Sequence, residues 1–224
     1  MELKKLQKVG GICSILEALI YIFAFVIYGG ILVYPNADAS AVEQLNFLTN
    51  NYATLSILNL IIYVLFGIIL SILVLVIHQL LKNRSPILSS LASFFGMIWV
   101  GLVIASGMIV NIGLNSMLDI GVKEPENAML IWSSINIVSE GLGGGNEIVG
   151  GIWMLLISSI ALKSHLFSKL LNSLGIIVGI AGILTIYPLD IFTEIFGISQ
   201  IIWFLWIGIS MIRENKTLNN IQTP

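Results

Sequence analysis

Charge is what this sequence has least of: Asp, Glu, Lys and Arg make up 10% of its 224 residues, against roughly 25% in a soluble globular domain. A chain this poor in charge cannot cover a water-facing surface. Cysteine is almost absent too, and the single Cys13 excludes an internal disulfide and a cysteine-based metal site. Histidine occurs only at positions 78 and 165, neither with a second ligand at helical spacing, so no metal is expected. The glycine-rich stretch near position 143 has no Gly-Lys-Ser/Thr after it, which excludes a P-loop. No Ser-His-acid set shares a depth. An enzyme is therefore disfavoured, no cofactor is expected, and no soluble domain is left to bind nucleic acid.

What is present is apolar sequence, 57% of the chain, in continuous rather than alternating runs. In lipid the backbone must satisfy itself, and continuous runs select helices over a barrel. Crossings are expected near 9–34, 54–81, 87–112, 146–162, 170–189 and 195–212, each close to the ~20 residues a bilayer requires. The expected fold is one all-α domain over 1–224, a bundle of about six transmembrane helices. The first run is too long for a secretory signal, and no small-residue cleavage site precedes Pro35.

Basic residues orient this layout. Lys4, Lys5, Lys8, Lys82, Arg84, Lys163, Lys169, Arg213 and Lys216 fall on one side, and only Lys123 on the other. The positive-inside rule then predicts both termini in the cytoplasm. Asp38, Glu43, Asp119, Glu124, Glu126, Asp190 and Glu194 lie outside. Counting 125–140 as a seventh crossing would throw Lys163 and Lys169 outward.

Outside, Ser40-Ala-Val-Glu43 has the form of a capping box. Glu124-Pro125 can start a second short helix, with Trp132 as an interfacial anchor. These surface helices are either plain connectors or a lid over an outward-facing cavity. An offset of 83 residues also aligns Ser85, Leu88 and Ser90 with Ser168, Leu171 and Ser173. This is compatible with a parallel repeat or with chance likeness between apolar stretches.

Polar residues at membrane depth are the candidate site, because each costs free energy unless compensated. Glu17 lies roughly 12 Å inside the cytoplasmic end and Glu147 roughly 24 Å, so the two are not expected to form a dyad. Asn59, Asn111, Asn146 and Glu147 share an outer layer, which Glu140 or Asn136 can join from above. Glu147 also has a plain structural explanation, an acidic residue at a helix start. Gly143 to Gly145 can form the turn into the fourth crossing, while Gly150-Gly151 can let another helix approach closely or expose backbone carbonyls to a cation in a broken helix. The tryptophans Trp99, Trp153, Trp203 and Trp206 read as interface or packing residues.

Asn146-Glu147-x-x-Gly150-Gly151-x-Trp153-x-Leu155-Leu156, with Leu174-Gly175, Gly179, Gly182, Pro188 and Trp203-x-x-Trp206-x-Gly208, resembles a family of small bacterial and archaeal multi-pass membrane proteins. That family is known as a domain of unknown function, number four-three-eight-six. The resemblance implies a helical bundle in a prokaryotic inner membrane and supplies no activity. The residues themselves lead to a small transporter-like or ligand-binding protein. Its pocket would be lined by Asn59, Asn111, Asn146 and Glu147, and Glu17 would be an inner proton carrier. The expected partners are the lipid bilayer and a small cation or proton. The alternative is a non-catalytic accessory, assembly or sensor component that packs against a membrane protein partner.

Overall fold

The computed structural model describes residues 2–36, 38–144, 147–187 and 189–220. Among these the helices are α1 (Glu2–Val26), α2 (Ala41–Asn50), α3 (Tyr52–Asn59), α4 (Phe66–Leu81), α5 (Pro86–Gly121), α6 (Pro125–Ser139), α7 (Ile148–Lys163), α8 (Lys169–Leu184) and α9 (Asp190–Asn220), with no strand. Three π-helical turns interrupt them. Ile27–Ile31 prolongs α1, Leu60–Leu65 joins α3 to α4, and Glu140–Gly144 follows α6.

Helix starts follow local chemistry. Ser40 and Glu43 form the reciprocal capping box, in which Ser40 Oγ accepts from the Glu43 N–H and Glu43 Oε2 accepts from the Ser40 N–H at 3.0 Å. Pro86 and Pro125 open α5 and α6, where a missing N–H costs nothing. Ser168 caps α8 through the Leu171 N–H.

Among the described residues, five stretches are long and apolar enough to cross a membrane: Leu3–Ile31, Tyr52–Leu81, Pro86–Gly121, Pro125–Lys163 and Ile191–Arg213. The shorter α8 packs antiparallel between α7 and α9 and completes a ring: α1, α4, α5, α7, α8, α9, and back to α1. The register of the closure is visible in two hydrogen bonds. Gln7 donates to the Met211 carbonyl at 3.0 Å, and Ser14 donates to the Phe204 carbonyl at 2.7 Å. The start of α1 and the end of α9 therefore lie on one side of the bundle, called here the terminal side.

Inside the ring stand Trp99, Trp153, Trp203, Phe66 and Phe204, all almost fully buried. Trp153 lies 5.8 Å from Trp99 and 6.1 Å from Trp203, centroid to centroid. Aromatic pairs favour such tilted and edge-on geometries. Outward-facing Leu19, Ile68, Phe94, Ile177 and Ile202 remain exposed, as expected of surface that meets lipid tails.

The helix α5 runs 36 residues, about 54 Å at 1.5 Å per residue, well beyond a ~30 Å hydrocarbon core. It continues past the position 112 at which its crossing was expected to end. On its distal half sit α2, α3 and α6, closed around a second apolar cluster that includes Leu45, Leu48, Leu114 and Met117. The helix α6 runs antiparallel beside α5, with Gly113 against Ile135 and Ser106 donating to the Ser139 carbonyl at 3.0 Å. The molecule is thus two storeys, a six-membered ring and a smaller far-side layer above it.

Candidate functional site

The fourth crossing is broken. After α6 the chain passes through the π-helical turn and reaches Gly143 at φ 142°, a conformation that L side chains rarely adopt. It then enters α7 with Glu147 at the N-cap position. Asn146, expected beside it in the site, lies outside the described residues. The Glu147 side chain makes no capping hydrogen bond. Its Oε2 instead accepts from the Trp99 indole N–H at 2.9 Å.

Three further contacts fix this residue. Its N–H donates to Thr185 Oγ1 at 2.8 Å, and that hydroxyl donates in turn to the Gly182 carbonyl at 2.7 Å. Its carbonyl accepts from the Gly151 N–H at 2.7 Å, closing the first turn of α7. Gly150 makes room for the indole: a Cβ there would stand 2.6 Å from Trp99 Cε2. The plain capping explanation thus belongs to Thr185, whose hydroxyl satisfies the backbone, while the Glu147 carboxylate turns into the ring.

The other glycines of this region serve packing. A Cβ on Gly151 would lie 2.7 Å from the Gly179 carbonyl oxygen, and one on Gly182 would lie 2.8 Å from Gly151 Cα. The α7–α8 seam is backbone against backbone, as small residues permit in membranes.

Above and beside Glu147 the packing opens in steps. A cavity of about 120 Å³ is bounded by Tyr21, Tyr63, Phe66, Val103, Gly143 and Glu147. A second, of about 280 Å³, has Tyr28, Tyr34, Asn59, Tyr63, Trp132, Asn136 and Glu140 in its walls. Tyr63 borders both. A third, of about 450 Å³, shares Tyr34, Trp132, Asn136 and Glu140 with the second and lies among the far-side connections. Each π-helical turn supplies one wall residue of the 280 Å³ cavity: Tyr28, Tyr63 and Glu140. Such turns add a residue to the helical repeat and occur often at functional sites. Tyr34 is half-exposed, and partial burial pushes its phenol above the ordinary tyrosine value, so it presents a neutral hydroxyl.

The expected site residues therefore separate. Asn59 is buried in the 280 Å³ cavity, where its Oδ1 accepts from the Tyr28 hydroxyl at 3.4 Å. Glu147 borders the deeper cavity. Asn111 sits on α5 outside both sets of walls, with a buried Oδ1 that has no hydrogen-bond partner among the described residues. Glu17 is fully buried on α1, and neither of its oxygens has a partner there. Gln200 on α9 is equally buried and equally unpartnered. The antiparallel α1–α9 register sets the two at a similar depth. His78 is engaged with Ser89, whose Oγ lies 2.9 Å from Nδ1.

Sequence reasoning missed Trp99 as the partner of Glu147, and Tyr28, Tyr63 and Thr185 as parts of the site. Depth could have found the first. Trp99 is thirteen residues above Pro86, about 20 Å, which is close to the level at which α7 begins.

A ring of apolar helices, most of them in stretches long enough to cross a membrane, with one broken crossing beneath a stack of polar cavities, defines a multi-pass integral membrane protein. The model of the family described as Domain of unknown function (DUF4386) matches residues 9–212, and the chain belongs to that family. No curated protein and no solved structure matches it.

Proposed function

We propose that this protein is a small transporter-like, ligand-binding membrane protein that admits a small cation or a proton from the far side and receives it at Glu147. The observation that carries this reading is the convergence of three π-helical turns on one cavity, with Tyr63 shared between that cavity and the one bordering Glu147. Irregular backbone at membrane depth is tolerated where it lines a cavity or is buried in protein. A carboxylate held there by a single indole N–H has acceptor capacity left over.

Glu17 serves as the inner proton carrier in this reading. It has no hydrogen bond among the described residues, and Gln200 stands at a similar depth on the neighbouring helix. In this reading the basic residues of the terminal side set both termini in the cytoplasm, and the prokaryotic inner membrane is what the family resemblance implies. A purely packing role draws less support, because Gly151, Gly179 and Gly182 are used within the chain itself.

Reconstitution into vesicles tests the proposal. Wild-type protein should carry a proton or cation current under an imposed gradient, and Glu147→Gln should remove most of it. Equal currents from the two proteins would reject the role given to Glu147.

A further inference from the structure

We infer that the 280 Å³ far-side cavity is a site for a small organic ammonium, recognised by aromatic faces and by the Glu140 carboxylate. The inference rests on the cavity being the ligand's way in and deepens it by naming the ligand class. Four aromatic rings stand in its walls, Tyr28, Tyr34, Tyr63 and Trp132, and they come from four different segments of the chain. The negative face of such a ring attracts a cation, and quaternary ammonium groups in particular are held in aromatic cages. Glu140 supplies the cavity's carboxylate, and among the described residues no basic side chain lines it.

The donor set separates ammonium from metal. Calcium takes six to eight oxygen ligands, carboxylates prominent among them, and magnesium a near-octahedral shell, whereas this cavity offers one carboxylate beside neutral phenol, amide and hydroxyl groups. Its aromatic walls suit an organic ammonium, which is less tightly hydrated than a metal cation. The volume lies just under the ~300–1,000 Å³ usual for ligand pockets, which fits a choline-sized or ethanolamine-sized group. The surrounding charge agrees: Asp38, Glu43, Asp119, Glu124 and Glu126 belong to the far-side layer, against Lys123 alone. A vestibule of one sign raises the local concentration of the opposite ion.

The walls are also fixed in place. Tyr34 packs on Phe47 with centroids 4.7 Å apart, and the Tyr28 hydroxyl is tied to Asn59. The ammonium can be free in solution or carried on a lipid headgroup, and the two sources share the same recognition chemistry.

Calorimetric titration of the full chain decides the matter. Choline and ethanolamine should bind saturably to protein in phosphatidylglycerol nanodiscs, while sodium and calcium at matched ionic strength should not displace them. Glu140→Gln should weaken binding about tenfold or more. Tyr34→Leu should weaken it roughly 2- to 30-fold, the range of one cation–π contact, and Tyr34→Phe should restore most of that loss. Thermal melts of each variant verify the fold. Loss of choline binding in phosphatidylethanolamine nanodiscs would identify the headgroup as the occupant, and unchanged binding there would identify the free amine. Displacement by sodium or calcium, no saturable binding, or indifference to both Glu140→Gln and Tyr34→Leu would overturn the inference. The two readings fail separately. Choline binding that survives while Glu147→Gln leaves vesicle currents intact removes the transport role alone. Currents that depend on Glu147 without any choline binding remove the ammonium alone.

Discussion

The two storeys of this protein solve the same problem, polar groups inside a membrane protein, in opposite ways. In the ring, glycines bring backbones into contact along α7 and α8, and stacked indoles fill what remains. The Glu147 N–H, its carbonyl and its Oε2 each have a partner there. In the far-side layer the helices are prised open by π-helical turns, and the polar residues face space. The lesson is that a dense half can hold a carboxylate at a fixed point while a looser half gives access to it. Density and access are supplied by different residues, so they can be broken separately.

The largest effect should come from the seam. Gly151→Leu puts a side chain where the α8 backbone already lies, and it should yield no monodisperse protein in detergent. Gly151→Ala should still fold but lose about 1–3 kcal/mol in a denaturant titration. A stable Gly151→Leu protein would end the claim that α7 and α8 meet backbone to backbone.

Next comes the carboxylate's anchor. Trp99→Phe keeps the ring but deletes the N–H that Glu147 Oε2 accepts from, and it should cost about 1–3 kcal/mol. The measurement is equilibrium unfolding, with Glu147→Leu, which leaves no acceptor, alongside it. The two changes share one bond, so the double variant should cost less than their sum. Additive costs would mean that the bond contributes nothing.

Thr185→Val should come third, at about 1 kcal/mol. It removes the acceptor for the Glu147 N–H and the donor to the Gly182 carbonyl together. Hydrogen exchange at the Glu147 amide provides the readout. Faster exchange there, with the rest of α7 protected, is the expected pattern.

Gly101→Ala should do least. No atom lies within 4 Å of a Cβ at that position, and replacing a mid-helix glycine by alanine gains roughly 0.5–1 kcal/mol. A melting temperature that rises slightly, while that of Gly151→Ala falls, would sharpen the contrast between filled and open glycine sites. Equal falls would erase it.

An all-helical membrane bundle was legible from the sequence because apolar runs and scarce charge leave a chain no other solution in lipid. The Ser40–Glu43 capping box and the start of α6 at Pro125 were legible because their chemistry is local. The π-helical turns were not. Hydropathy is unchanged when one residue is added to a helical turn, so nothing in 27–31 or 60–65 announces the wider winding that places Tyr28 and Tyr63 around one space. Glu147 stood out as an acid in apolar surroundings, but its partner did not. Trp99 sits 48 positions away in a run where any tryptophan reads as packing, and only the α5–α7 register joins the two. Asn111 is the opposite case. Depth alone grouped it with Asn59 and Glu147, but depth fixes one coordinate of three, and the face of α5 that carries Asn111 lines neither cavity.

The closure of α9 onto α1 has a consequence for how the protein is made. The ring is finished by the helix that leaves the ribosome after the other five, and until then α1 has no neighbour on that flank. Gln7, Ser14 and Glu17, all buried against the interior of the completed bundle, lie along the unfinished edge. The carbonyls of Met211 and Phe204 that receive Gln7 and Ser14 do not yet exist in the membrane. An incomplete copy therefore carries a polar stripe in hydrocarbon that a complete one hides. Of the ring helices, α1 is made before the rest and is among the last to have both flanks covered.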